Sequence, residues 1–121
     1  MSTIKVNSIE PANAGSEDYF LARAWVNFNG SGTVAIRADG GVSSITDNGT
    51  GNYSVNFNSA FSSTSYAGPS ASGDDGSSYI DRGGQILPLS TTSCRVFHTI
   101  TANGSPRDVS TSLSAYFGDL A

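Results

Sequence analysis

The sequence has few of the residues with which proteins bind metals, form disulfides or catalyse reactions. Its 121 residues include one histidine and one cysteine. A lone Cys94 cannot form a disulfide within the chain, and its apolar alternation predicts a small buried core residue. Zinc needs three or four His, Cys or carboxylate ligands, and no Gly-x-Ser-x-Gly elbow marks a nucleophile. We therefore expect no enzyme, no cofactor and no metal, and a structural or surface role for His98, a lone strand histidine.

Charge is also scarce, and positive charge most of all. Charged residues make up 13% of the chain, and six Lys and Arg stand against ten Asp and Glu, for a net charge of −4. The basic residues are scattered along the chain, whereas a nucleic-acid partner needs them clustered. No apolar run approaches the roughly 20 residues that a membrane span needs, and no signal-peptide pattern opens the chain. We expect neither nucleic-acid binding nor membrane insertion.

The chain does have strand patterns, which are densest over residues 22–57. Residues 22–29 alternate so that Ala24, Val26 and Phe28 share one face and Trp25 lies on the other. Further strands are predicted at 33–37, at 53–57 and, as a short strand or bridging segment, at 42–46. Glycine-rich turns separate them, with Asp39-Gly40-Gly41 and Asp47-Asn48-Gly49-Thr50-Gly51 as breaks.

The second half alternates less regularly. Residues 60–67 continue the strands, 68–78 read as loop, and weak strands at 79–82 and 85–89 flank Gly83-Gly84. Clearer strands are predicted at 93–101 and 109–117. The last of these is expected to point its odd-numbered residues inward: Val109, Thr111, Leu113, Ala115 and Phe117. Short strands, turn signals and no helical periodicity predict an all-β fold, an antiparallel β-sandwich.

The first 21 residues differ from the rest. Pro11 and Gly15 break a short strand pattern, and no amphipathic helix follows. We interpret 1–21 as an extended N-terminal arm or short coiled neck and 22–121 as the folded domain. A flexible tail is the alternative.

One stretch carries a family resemblance. The runs are AWVNFNGSGTVAIR and VSSITDNGTGNYSVNF, within residues 24–57; residues 66–68 and 116–119 match more loosely, and the opening residues 2–9 add a further likeness. They resemble a β-rich module of phage tail fibres and other phage tail proteins. The resemblance implies a virion protein of the tail. It would attach to other tail or baseplate proteins and bind host surface polysaccharide or protein through loops at its distal end.

Two aromatic residues are predicted to point outward. Trp25 is out of phase with its apolar neighbours, and Tyr116 is out of phase with Leu113, Ala115 and Phe117. An outward tryptophan is either covered by a partner subunit or stacked on a sugar. We favour a subunit interface at Trp25 and Tyr116. A homotrimer is the assembly that the resemblance to phage tail fibres implies.

The candidate receptor site follows the irregular segment 68–78. Tyrosine offers a stacking face, while Asp and Arg hydrogen-bond sugar hydroxyls, so we predict a glycan contact. The residues are Asp74, Asp75, Tyr79, Asp81 and Arg82. The alternative is that this loop packs on a neighbouring subunit. Calcium at Asp74-Asp75 and glycoside hydrolysis by paired carboxylates are weaker alternatives, and the acidic turn 47–52 is expected to be a hairpin.

Three function classes remain open after these observations. The first is a phage tail fibre or receptor-binding protein, which the resemblance favours. The second is a purely structural virion protein, such as a baseplate or capsid decoration subunit. The third is a free carbohydrate-binding module. An exposed groove with aromatics at the distal tip favours binding, whereas a tip covered by other virion proteins favours the structural class.

Overall fold

The computed structural model describes residues 3–5, 21–73 and 84–121 in full, and only the backbone of residues 82 and 83. These residues form eight strands and no helix. The strands are β1 (Ala24–Asn29), β2 (Ala35–Gly40), β3 (Val42–Asp47), β4 (Asn52–Phe57), β5 (Ser70–Gly73), β6 (Arg82–Leu87), β7 (Ser93–Ile100) and β8 (Thr111–Tyr116).

The strands make two antiparallel sheets that share one core. One sheet has the order β2-β1-β8-β5 and the other has the order β3-β4-β7-β6. Every strand pair is antiparallel, and the buried cluster draws on both sheets. The predicted all-β class and antiparallel sandwich are therefore confirmed. The N-terminal arm, predicted over 1–21, lies outside the described residues except for 3–5 and 21.

A glycine corner carries the chain from one sheet to the other. Only Gly41 separates β2 from β3, and its φ of 71° lies in the left-handed region that favours glycine. A Cβ at Gly41 would lie 2.7 Å from the carbonyl oxygen of Arg23. The Asp39 carboxylate accepts a bond from the Val42 amide at 3.3 Å and supports the corner. Consequently β2 continues to Gly40, beyond its predicted end at residue 37.

The core is aromatic at one end of the sandwich. Phe57 packs edge-to-face on Phe61, Tyr66 and Tyr116 at centroid distances of 5.0 to 5.7 Å. Phe61 and Tyr66 stack at 4.4 Å. Such pairs contribute about 0.5–1.5 kcal/mol each beyond the burial of their area. Phe61 and Tyr66 come from the long β4–β5 connection, which therefore closes that end of the core.

Two segments differ from their prediction. Part of the expected loop 68–78 is β5, and β6 runs through Gly83-Gly84 instead of breaking there. β5 and β6 lie close to each other across the sandwich. The approach is so close that a Cβ at Gly84 would lie 2.9 Å from Ser70 Oγ. The glycine thus permits the two sheets to approach closely at this edge.

The inward and outward faces of β8 are opposite to the prediction. Tyr116 and Ser112 are fully buried and Ser114 nearly so, whereas Leu113 and Phe117 are each 39% exposed. The buried serines have partners: Ser112 Oγ lies 2.7 Å from His98 Nε2, and Tyr116 donates to Ser114 Oγ at 2.8 Å. The residues of β8 that face the core are therefore hydrogen-bonded serines, where the sequence pattern predicted apolar side chains.

Candidate binding surfaces

Three of the described turns lie together at one end of the sandwich. These turns are 30–34 between β1 and β2, 48–51 between β3 and β4, and 101–110 between β7 and β8. Since Gly73 pairs with Thr111 and Arg82 pairs with Ile100, β5 ends and β6 begins at this end too. We call it the turn end. Residues 21–23, 58–69, 88–92 and 117–121 lie at the opposite end, which we call the arm end.

One tyrosine hydroxyl ties the three turns together. Tyr53 Oη lies 2.6 Å from the Gly30 carbonyl oxygen and 3.0 Å from Asp108 Oδ1, so its one proton can be donated to either acceptor. Asp108 also accepts from the Gly51 amide at 2.8 Å. Burial and the neighbouring Asp108 carboxylate raise the pKa of Tyr53 above its ordinary value, so the hydroxyl keeps its proton. The turn end is thereby pre-organised.

Each turn is also braced by its own side chain. Asn29 Oδ1 accepts from the Ser31 amide at 3.1 Å, Asp47 Oδ1 from the Gly49 amide at 3.0 Å, and Asn103 Oδ1 from the Ser105 amide at 3.0 Å. These are Asx-type turns. Asp47 thus has a structural partner, and the segment forms the β3–β4 hairpin turn that its glycines predict.

The described strands on either side of the predicted receptor segment, β5 and β6, have their Gly73 and Arg82 ends at the turn end. Asp74, Asp75, Tyr79 and Asp81 lie outside the described residues. The backbone of Arg82 opens β6 opposite Ile100 at the turn end. The glycan and calcium hypotheses for this segment therefore stay predictions.

The second surface is the outer face of the β2-β1-β8-β5 sheet. Trp25 is 44% exposed there, as predicted, and it lies opposite Gly40 on β2 and Ala115 on β8. A Cβ at Gly40 would collide with the pyrrole atoms of the indole, so the ring lies directly against that glycine. The indole is consequently a partly exposed aromatic surface held at a fixed position.

A groove lies beside this indole, over β8. Its volume is about 330 Å³, and Leu113 and Ala115 line it between Trp25 on one side and Pro69 and Ala71 on the other. Sequence reasoning missed this groove, because β5 was expected to be loop and Leu113 was expected to point inward.

Tyr116 does not belong to this surface. Its side chain is fully buried in the chain, so its prediction as a subunit-interface residue is wrong. The ring packs 5.0 Å from Phe57 in the aromatic core instead, and burial raises the pKa of Tyr116 above its ordinary value. The outward apolar residues of β8 are Leu113 and Ala115, and Phe117 continues them just beyond the strand.

An arginine lies at the turn-end margin of the same face. Arg37 sits at the bulge where the β1–β2 register shifts. Its guanidinium donates to Asn27 Oδ1 at 3.4 Å, to Thr111 Oγ1 at 3.3 Å and to the Ser110 carbonyl oxygen at 2.5 Å. These bonds hold one positive charge beside the apolar groove.

The two titratable side chains discussed above, His98 and Cys94, are buried in the core. His98 and Ser112 form a 2.7 Å pair, but both are fully buried, so no substrate in solvent reaches them. Cys94 is buried as predicted, and burial raises the pKa of its thiol. Within the described ranges, no three His, Cys, Asp or Glu side chains are grouped to hold a metal ion. Nor does that part of the chain contain a helix long and apolar enough to cross a membrane.

Comparison of the chain with models of known protein families, with curated proteins and with solved structures finds no significant match.

Proposed function

We propose that the chain is the head domain of a phage tail fibre, a binding protein without catalytic activity. The arm, residues 1–21, attaches it to the tail or baseplate of the virion. The turn end contacts the host cell surface, with a glycan as the preferred ligand and a host protein as the alternative.

The main support for this proposal is that the N-terminal segment joins the domain at the end of the sandwich opposite the three turns. Leu21 enters the domain at the arm end, since Ala24 pairs with Tyr116 there. The three described turns and both flanks of segment 74–81 lie at the opposite end. A domain anchored through its N-terminal segment therefore presents these three turns away from the anchor. Turns held on a rigid scaffold are where binding residues are usually found.

The similarity of residues 24–57 to phage tail fibre modules supports the same role. The described turn end is rich in hydroxyls and amides and contains no apolar patch of the kind found beside Trp25. Such a surface suits a hydrated partner, and Tyr79 and Arg82 add stacking and hydrogen-bonding groups in sequence.

A structural virion protein without receptor binding is the second candidate. The side chains of Asn29, Asp47 and Asn103 are used inside their own turns. A surface whose amides and carboxylates are already hydrogen-bonded has fewer groups left for a ligand, which favours this class.

Cell adsorption tests the proposal. The fluorescently labelled full chain is applied to a panel of bacterial strains, with and without periodate oxidation of their surface glycans. We expect it to bind at least one strain and to lose that binding after oxidation.

The double variant Tyr79→Ala, Arg82→Ala should fold normally and lose binding. The control Thr64→Ala, Leu89→Ala changes two exposed residues at the arm end and should bind like the wild type. Adsorption by the folded Tyr79/Arg82 variant equal to that of the wild type would overturn the receptor assignment.

A further inference from the structure

We propose that the outer face of the β3-β4-β7-β6 sheet carries a sugar-binding patch centred on Phe97. The patch comprises Phe97 and Arg95 on β7, Asn52 on β4 and Gln85 on β6, and it holds one sugar ring of a glycan chain. Its geometry is read from the fold, while the identification of the glycan as one on the host cell surface rests on the proposed function.

Phe97 is an aromatic side chain on the outside of the sandwich. Its neighbours in β7, Val96 and His98, are fully buried, so the alternation of the strand turns Phe97 outward, where it is partly exposed. It does not belong to the buried hydrophobic cluster that the described residues form. A partly exposed ring of this kind offers a flat apolar face on which the C–H side of a sugar can stack.

A side-chain amide lies on each side of this ring. Asn52 is the direct cross-strand partner of Phe97 on β4, and Gln85 is its direct partner on β6. Side chains directly opposite each other share a face of the sheet and lie about 5 Å apart. Phe97 is therefore the middle of a row that has an amide, both a donor and an acceptor, at each end. Such amides can bond the hydroxyls at the rim of a sugar whose apolar face rests on the ring.

The polar groups of the patch are available to a ligand. Gln85 is exposed, and its side-chain amide has no hydrogen-bond partner among the described residues. Asn52 Oδ1 accepts from Arg95 Nη1 at 3.3 Å, which leaves the Asn52 amino group and the other guanidinium N–H groups without an acceptor among those residues. By contrast, the amide of Asn56 on the same face already donates to two hydroxyls of β3, each at 3.0 Å. The hydrogen-bonding capacity of this face is therefore concentrated around Phe97.

The patch is continuous with the turn end. Asn52 is the first residue of β4 and directly follows the turn 48–51, and Phe97 lies in the turn-end half of β7. Arg82, the predicted receptor residue whose backbone is described, is on the same strand as Gln85. A glycan chain that contacts the turns can therefore continue along the outer face of the sheet onto Phe97.

A sugar fits this patch better than a protein partner does. The core of a protein interface is apolar and depleted of charge, whereas the ring of Phe97 is surrounded by two amides and the Arg95 guanidinium. A sugar presents an apolar face and a rim of hydroxyls together. It therefore matches both the ring and the polar groups around it.

Sugar titrations followed by NMR of the full chain test the position of the site. The probes are D-glucose, D-galactose, D-mannose and N-acetyl-D-glucosamine, each added alone at up to tens of millimolar concentration. At least one of them should shift the backbone signal of Phe97 and the side-chain amide signals of Asn52 and Gln85. No shift with any of the four sugars, or shifts centred on the groove beside Trp25 instead, would overturn the proposal.

Matched phenylalanine variants test the stacking. Phe97→Leu keeps an apolar side chain but removes the flat ring, so the sugar should bind roughly tenfold more weakly, whereas Phe97→Tyr keeps the ring and should bind like the wild type. Phe117→Leu is the control, because Phe117 is 39% exposed but lies at the arm end of the other sheet. Gln85→Leu leaves the ring in place and removes one amide, and it should also weaken binding. Unchanged affinity in folded Phe97→Leu or Gln85→Leu, or an equal loss in Phe117→Leu, would overturn the proposal.

These outcomes are separable from those of the adsorption test. Adsorption to cells without sugar-induced shifts at Phe97 would overturn this inference and leave the fibre-head proposal in place. Sugar binding at Phe97 by a chain that adsorbs to no strain would do the opposite.

Discussion

The indole of Trp25 lies directly on Gly40, its partner across β1 and β2. Any residue other than glycine at position 40 would displace the ring, because even a Cβ there would collide with the pyrrole atoms of the indole. Aromatic rings that cover a cross-strand glycine strengthen the pairing of two strands. The contact thus holds the exposed ring at the side of the groove over β8.

We expect Gly40→Ala to move the indole and to change its surroundings. The tryptophan is half-exposed and can rotate away, so the cost to folding should be modest, about 1 kcal/mol. Because Trp25 is the one tryptophan of the chain, its fluorescence maximum should shift to the red. Gly73→Ala is the control, since its Cβ would make an ordinary 3.6 Å contact with Thr111. An unchanged spectrum in Gly40→Ala would contradict the observed contact.

The Tyr53 hydroxyl should stabilise the turn end specifically. Tyr53→Phe removes its bonds to Gly30 and Asp108 and should cost about 1–2 kcal/mol of unfolding free energy. Amide exchange should accelerate at Gly51, whose N–H donates to Asp108. Tyr66→Phe serves as the comparison, because its hydroxyl donates to the Ser90 carbonyl oxygen, 2.7 Å away at the arm end. It should lower stability without accelerating exchange at Gly51, and equal exchange at Gly51 in both variants would count against the turn-end role.

Stability should fall at alkaline pH. Burial raises the pKa of Tyr53, Tyr66 and Tyr116 in the folded chain, whereas an unfolded tyrosine ionises near pH 10. The folded state therefore binds more protons above that pH, and the stabilisation present below pH 10 is lost as pH rises. Each tyrosine contributes a slope of about 1.4 kcal/mol per pH unit. The Cys94 thiol, with its pKa also raised by burial, acts in the same direction.

Absorbance at the phenolate band measures this alkaline transition. Three of the five tyrosines should ionise only when the chain unfolds, and urea titrations should show the falling stability. Tyr66→Phe should reduce the tyrosine part of the slope by roughly a third. Reversible ionisation of all five tyrosines near pH 10 in the folded chain would refute the argument.

Removal of the arm should separate attachment from folding. A chain lacking residues 1–21 keeps every described strand, so we expect it to fold and to assemble like the full chain but not to join the tail. Circular dichroism and light scattering check folding and assembly, and incorporation into virions checks attachment. An unfolded truncated chain would place the domain boundary elsewhere.

The strands that the sequence predicts best are those with strict alternation. In β1, β4 and β7 the inward residues are apolar or aromatic, apart from His98, and the outward ones mostly polar, so period two is unambiguous. The same alternation correctly placed Trp25 outside. In β5, by contrast, Ser70 and Ser72 pair with the buried Ser114 and Ser112, and a strand with inward serines has no apolar pattern to detect.

The β8 error has a related cause. Apolar residues were assigned to the inside, but Leu113 and Phe117 point outward and Ser112 and Ser114 point inward, each with a hydrogen-bond partner. Ser114 is bonded by Tyr116, two residues further along the strand, but the partner of Ser112 is His98 on the other sheet, a tertiary contact that a local pattern does not contain. The Tyr53–Asp108 bond joins residues 55 positions apart, so the tie between the turns was equally invisible in the sequence.

A reconstruction of the intact virion tests the fibre-head proposal most directly. We expect density for this chain at the tail, with its arm end joined to tail or baseplate proteins and its turn end free and directed away from the particle. A turn end covered by other virion proteins, or an arm end facing outward, would contradict it.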